Sequence, residues 1–138
     1  MSDQQVVERA FGAWSRGEAH VSSIFDPDMT WEIVGRSAAA GSYTGAQQFV
    51  DEVLAPFAAR FSPEAPFRPV RVRSTYCDGS TVVIVWDGAG TTRTGGTYEN
   101  TYAWFLTMRD GRVVDGTAFF DSIAFDELWR SVPVDAVG

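Results

Sequence analysis

The chain has 138 residues, enough for one domain with its own core, and at 45% hydrophobic and 14% aromatic it is too apolar for disorder. A formal charge of -7 argues against a nucleic-acid partner, which requires a basic face, and against an anionic membrane surface. The longest apolar run, Thr81 to Trp86, is far below the roughly 20 residues of a membrane span. The N-terminal stretch MSDQQVVERAF lacks the basic and apolar parts of a signal peptide, so a cytoplasmic location is expected. With Cys77 alone no intrachain disulfide is possible, and Cys77 with His20 cannot make a zinc site. Gly88, Gly90, Gly95 and Gly96 precede no predicted helix and form no phosphate cradle, so no metal and no cofactor are implied.

Ser2 with Gln5 fits a capping box, and Val6, Val7, Ala10, Phe11 and Trp14 recur at helical spacing up to a terminating Gly17. A short second helix carries Val21, Ile24 and Phe25 and stops at Asp26-Pro27-Asp28. Met29 to Val34 reads as a first strand, and Gly35 to Gly45 as a loop of small residues. Phe49, Val50, Val53, Leu54, Phe57 and Phe61 mark a third helix, kinked near Pro56. Ser62 to Pro69 is a proline-rich linker.

The rest is strand and turn. Val70 to Tyr76 and Thr81 to Asp87 flank Asp78-Gly79, and Thr97 to Met108 and Arg112 to Phe120 flank Asp110-Gly111, which makes a meander of two hairpins. Asp121 or Ser122 caps a closing helix through Phe125, Leu128 and Trp129. Helices followed by four long antiparallel strands define an α+β domain spanning 1–138. Its curved sheet wraps around the N-terminal helices and leaves a cone-shaped pocket.

This element order resembles the nuclear-transport-factor-two-like superfamily, with its cystatin-like α+β barrel. The strings Phe25-Asp26-Pro27-Asp28-Met29-Thr30-Trp31-Glu32, Gly41-Ser42-Tyr43-Thr44-Gly45, Tyr98-Glu99-Asn100-Thr101-Tyr102 and Phe119-Phe120-Asp121 resemble its SnoaL-like and ketosteroid-isomerase-like branch. The resemblance implies a pocket, whereas activities across the family range from isomerases, cyclases and hydrolases to binding domains. Lined up on the isomerases, the base falls at Ile33 and the two oxyanion donors at Ala10 and Ala103, so steroid isomerisation by those residues is not expected. Lined up on limonene-epoxide-hydrolase-like members, the charged triad falls at Thr101, Ala103 and Ala118.

The same lineup puts Glu99, Thr101, Ala103 and Phe105 on the concave face with Val114, Gly116, Ala118 and Phe120, opposite Trp31 and Ile33. Glu99 is then the leading acid/base candidate, unless it sits at the cone mouth in solvent or paired with Arg93. Asp121 lies where SnoaL-like cyclases use an aspartate, but it is equally a helix cap. Tyr43 either reaches over the pocket or anchors its loop. Glu32 should point outward, His20 is a surface histidine more than a catalyst, and Cys77 has no base beside it. Tyr98, Asn100, Tyr102 and Trp104 fall on the outer face, an aromatic ladder suited to a homodimer contact. The expected function is cofactor-independent acid/base chemistry on a small hydrophobic molecule, of isomerase, cyclase, hydratase or hydrolase type. The alternative is a non-catalytic ligand-binding or accessory domain.

Overall fold

The computed structural model describes residues 1–134. Helix α1 (Asp3–Ser15) opens with the reciprocal cap: Ser2 Oγ accepts from Gln5 N at 3.1 Å and Gln5 Oε1 from Ser2 N at 3.0 Å. It buries Val7, Ala10, Phe11 and Trp14, and the chain leaves it through Gly17, whose φ of 73° suits glycine. After a 3-10 turn (Val21–Ile24) come β1 (Phe25–Ile33) and β2 (Gly41–Thr44). One helical passage follows: α2 (Ala46–Phe49), a π turn (Val50–Leu54) and α3 (Ala55–Ala58). Strands β3 (Arg68–Asp78), β4 (Thr81–Thr91), β5 (Thr97–Arg109) and β6 (Arg112–Phe120) then lead to α4 (Ser122–Ser131).

The six strands form one sheet in the order β2-β1-β6-β5-β4-β3. Only β1 and β6 run parallel; every other neighbouring pair is antiparallel. The expected hairpins are both present, with left-handed backbone at Gly79 and at the pair Asp110 and Gly111. The chain is thus an α+β fold in which helices cover the concave face of a curved sheet.

Three local expectations change. Asp26-Pro27-Asp28 ends no helix; it bulges out of β1, where the register on β6 skips between Phe25 and Thr30 and a residue without an N–H costs no ladder bond. Part of the small-residue loop is β2, which pairs Tyr43 with Trp31 as an edge strand. The kink expected at Pro56 is taken up just before it by the π turn, in which Ala55 N donates to Val50 O.

The larger correction concerns the faces of β5. Tyr98, Asn100, Tyr102, Trp104, Leu106 and Met108 are buried, while Glu99, Thr101 and Phe105 are exposed and Ala103 is half-buried. Register fixes this. Tyr102 stands opposite Phe120 and Trp104 opposite Ala118, and directly opposed residues share a face. The physical reason is area, since the even positions carry nearly all of the strand's large apolar side chains and those go inside. The aromatic ladder read as an outer dimer contact is therefore core.

Candidate functional site

Between the sheet's concave face and the helices lies a cavity of about 430 Å³ walled by ten aromatic side chains. Trp31 and Ile33 of β1, Ala118 and Phe120 of β6, and Trp104 and Tyr102 of β5 form its floor. The helical passage contributes Phe49, Val53 and Phe57, α1 contributes Trp14, and α4 closes one side with Phe125. The π turn widens the helix so that Phe49, Val53, Leu54, Phe57 and Ala58 all reach the cavity.

The rings brace one another. Trp31 stacks on Phe49 with centroids 4.7 Å apart and meets Trp104 edge-on at 4.9 Å. Trp86 stacks on Tyr102 at 4.4 Å and meets Trp104 edge-on at 5.1 Å. Such interlocked rings have little rotamer freedom to lose when a ligand enters, so the wall is preorganised for a flat molecule.

A short chain of hydrogen-bonded side chains ends at Tyr102 in this wall. Asn100 Nδ2 donates to the Tyr98 hydroxyl at 2.8 Å and to Asp121 O at 3.0 Å, and Tyr98 and Tyr102 share a hydrogen bond of 2.8 Å. Burial pushes both phenols up, Tyr102 well above its ordinary value, so both stay protonated. The indole N–H groups of Trp31 and Trp86 are buried without an acceptor.

The mouth is formed by Gly17, Glu18, Ala19, His20, Pro66 and Arg68. Glu18 is held by Arg16 at 2.8 Å, and that hydrogen bond and charge lower its pKa. His20 Nδ1 accepts Ser22 N at 3.0 Å, which leaves the ring proton on Nε2. His20 is open to solvent on one side, yet enough protein surrounds it, Trp14 at 4.7 Å included, that desolvation lowers its pKa. Half-buried Arg68 makes no side-chain hydrogen bond or ion pair among the described residues.

The sequence-derived site divides accordingly. Trp31, Ile33, Ala118 and Phe120 stand in the cavity wall. Gly116 faces inward but lies beneath Trp31. Tyr43 packs behind Phe49 at 5.6 Å and donates to Ala39 O at 2.6 Å, anchoring its loop outside the wall. Thr101, Ala103 and Phe105 are on the convex face, corrected together with the parity of β5.

Glu99 and Asp121 also lie outside, in a shallow convex depression with Asp87, Arg73 and Thr101. Glu99 is exposed on the convex face, away from the cavity, and Asp121 Oδ1 caps α4 by accepting from Ile123 N at 2.9 Å and Ala124 N at 3.4 Å. Within that depression Asp87 is held low by hydrogen bonds from Thr101 at 2.7 Å and Arg73 at 2.9 Å. Glu32 points outward, and Cys77 is exposed. The reading of the sequence missed Trp14, Phe67, Trp86, Tyr102 and Trp104 as wall residues and Arg68 at the mouth. Its own alternation of large apolar residues at 82, 84 and 86 and at 102, 104 and 106 carried that signal.

Among the described residues no helix is long and apolar enough to cross a membrane, and no three His, Cys, Asp or Glu gather as metal ligands.

A family model described as a SnoaL-like domain matches residues 7–116. No curated protein sequence matches the chain. Several solved structures share the fold. An NTF2-like protein from Burkholderia thailandensis is 22% identical, with 94% of this chain and 98% of that one covered and a TM-score of 0.73. TerC, co-crystallised with polyporic acid, is 22% identical over 91% of this chain and 96% of its own, with a TM-score of 0.71. IdmH, a candidate polyketide cyclase from Streptomyces antibioticus, is 18% identical over 93% and 98%, with a TM-score of 0.70. At these identities the likeness is one of fold.

Proposed function

This chain belongs to the SnoaL-like domain family, and we propose that it binds a flat, largely apolar small molecule in its aromatic cavity. The observation that carries this reading is the wall itself: ten interlocked aromatic rings around about 430 Å³, with Glu18, at the mouth and engaged by Arg16, the one carboxylate lining it among the described residues. The volume lies in the range of small-molecule pockets. That TerC, of the same fold, was co-crystallised with polyporic acid fits an organic occupant.

Intrinsic tryptophan fluorescence tests it, because Trp14, Trp31, Trp86 and Trp104 all border the cavity. Titration with planar aromatic probes should quench saturably at one site per chain. Ala118→Trp, which fills the cavity from its floor, should abolish the quenching while far-ultraviolet circular dichroism stays unchanged. Quenching that survives Ala118→Trp puts the ligand elsewhere and overturns the reading.

A second reading, cyclase-type proton chemistry in the same cavity, is favoured by one observation. Tyr102 is a buried phenol in the wall, kept protonated and hydrogen-bonded to Tyr98, and could stabilise an enolate-like oxygen. It needs a base that neither Glu99 nor Asp121 can supply from the convex face, so any turnover should be lost in Tyr102→Phe and kept in Glu99→Gln.

A further inference from the structure

The mouth of the cavity carries a pattern that shape alone does not require. Gly17 leaves α1 with no side chain, and the guanidinium of Arg68, from the start of β3, occupies the space: a Cβ at residue 17 would lie 2.6 Å from Arg68 Nη2 and 2.8 Å from Cζ. The glycine is thus what lets a half-buried arginine lie over the opening. Arg68 finds no carboxylate there. Glu18, the acid at the mouth, is taken by Arg16 through two hydrogen bonds of 2.8 and 3.2 Å. His20, with Nδ1 occupied by Ser22 N, offers an N–H donor.

Farther in, two indoles of the wall sit against glycines. The Cζ3 edge of Trp31 rests against Gly116 and that of Trp86 against Gly88, which turns both indole N–H groups to the side away from those glycines. Both are buried with nothing to receive them.

We propose that Arg68, seated over Gly17, holds a carboxylate or other anionic oxygen of the ligand at the cavity mouth while the ligand's flat body lies among Trp31, Trp86 and Trp104. This rests on the binding reading above and adds the ligand's chemical class: planar, apolar in the body and anionic at one end. A guanidinium suits this role because its planar fork meets a carboxylate with two donors. On a chain of net charge -7, a guanidinium lying over the opening is a local positive charge that draws in an anion.

The test uses two probes of equal shape, anthracene-2-carboxylate and anthracene-2-carboxamide, titrated against the full chain by tryptophan fluorescence. The carboxylate should bind about tenfold more tightly at low salt, as expected of a charge-assisted hydrogen bond at a partly exposed site. That preference should shrink as salt rises toward about 0.5 M, where screening is strong. Arg68→Gln should erase the preference while leaving the carboxamide within about twofold of its parent affinity, and Arg68→Lys should restore part of it. Equal binding of both probes by the parent protein overturns the anion site and leaves the binding reading standing. A preference that persists undiminished in Arg68→Gln overturns Arg68 as its holder. Failure of both probes to bind removes the two readings together. Should Arg68→Gln not fold, Arg68→Lys and the salt dependence decide the matter by the same criteria.

Discussion

A side-chain carbon at residue 116 would lie 2.1 Å from Cε3 of Trp31, the residue it pairs with across β1 and β6. Trp31 is part of the cavity wall only because β6 is bare at that point, and its indole then supports Phe49 and Trp104 in turn. Backbone atoms cannot yield, so Gly116→Ala must push the indole off its seat. We expect a loss of about 1–3 kcal/mol in stability, the usual cost of overpacking, together with weaker binding of planar probes. Urea denaturation monitored by fluorescence reads both the stability and the displaced tryptophan. Parent-like stability and binding would mean that Trp31 has another place to go.

Asp121 offers a separation of structure from chemistry. Its carboxylate accepts two backbone N–H groups of α4, a cap whose removal typically costs about 1 kcal/mol. Asp121→Ala should therefore lower stability by about that amount, and Asp121→Asn, which keeps an acceptor, should recover most of it. Neither change should alter ligand affinity, because the residue lies on the convex face with Glu99. Titration calorimetry on both variants checks this; an affinity change larger than about threefold in Asp121→Asn would reopen a direct role.

What could be read in the sequence follows from how local each signal was. The Ser2–Gln5 cap, the stop at Gly17 and the turns at Asp78-Gly79 and Asp110-Gly111 depend on a few neighbouring residues, and all are present. Strand faces are different, since a slip of one residue exchanges inside for outside. On β5 the lineup with relatives favoured the odd positions, whereas the strand's own alternation of Tyr98, Tyr102, Trp104, Leu106 and Met108 favoured the even ones, and burial followed the alternation. β6 escaped the same error at Gly116, Ala118 and Phe120. Its bulge pairs Val113 with Met108 and Asp115 with Thr107, so Val113, and not Val114, is the buried residue at the strand's start. Arg68 could not have been found locally: its place at the mouth depends on a glycine fifty-one positions earlier.

With the aromatic ladder buried, a dimer contact must come from other residues. Phe105 and Phe119 meet edge-on on the convex face with centroids 5.7 Å apart and are 39% and 45% exposed; Tyr76, 61% exposed, shares that face across Val83. We propose that this patch is where two copies of the chain meet, since a monomer would leave it against water. Light scattering should give twice the chain mass at micromolar concentration, and Phe105→Glu should halve it while leaving probe binding intact. A single-chain mass for the parent removes the proposal.

His20 allows a test of electrostatics at the mouth, because it is the chain's only histidine and its ring signals need no assignment. Desolvation lowers its pKa from the ordinary 6.5, and protonation would also forfeit the bond from Ser22 N to Nδ1. A base whose pKa is lower folded than unfolded binds fewer protons in the native state, so stability rises with pH through the interval between the two values. The contribution is complete above pH 6.5 and is lost as pH falls through the folded pKa. The imidazole should titrate with a midpoint below 6.5 by NMR, and the urea midpoint of the parent should fall between pH 7 and the imidazole's own midpoint. His20→Asn, which keeps a side-chain acceptor for Ser22 N, should flatten that part of the profile. A midpoint at or above 6.5 would place the ring in open solvent or beside an anion and would overturn its desolvation at the mouth.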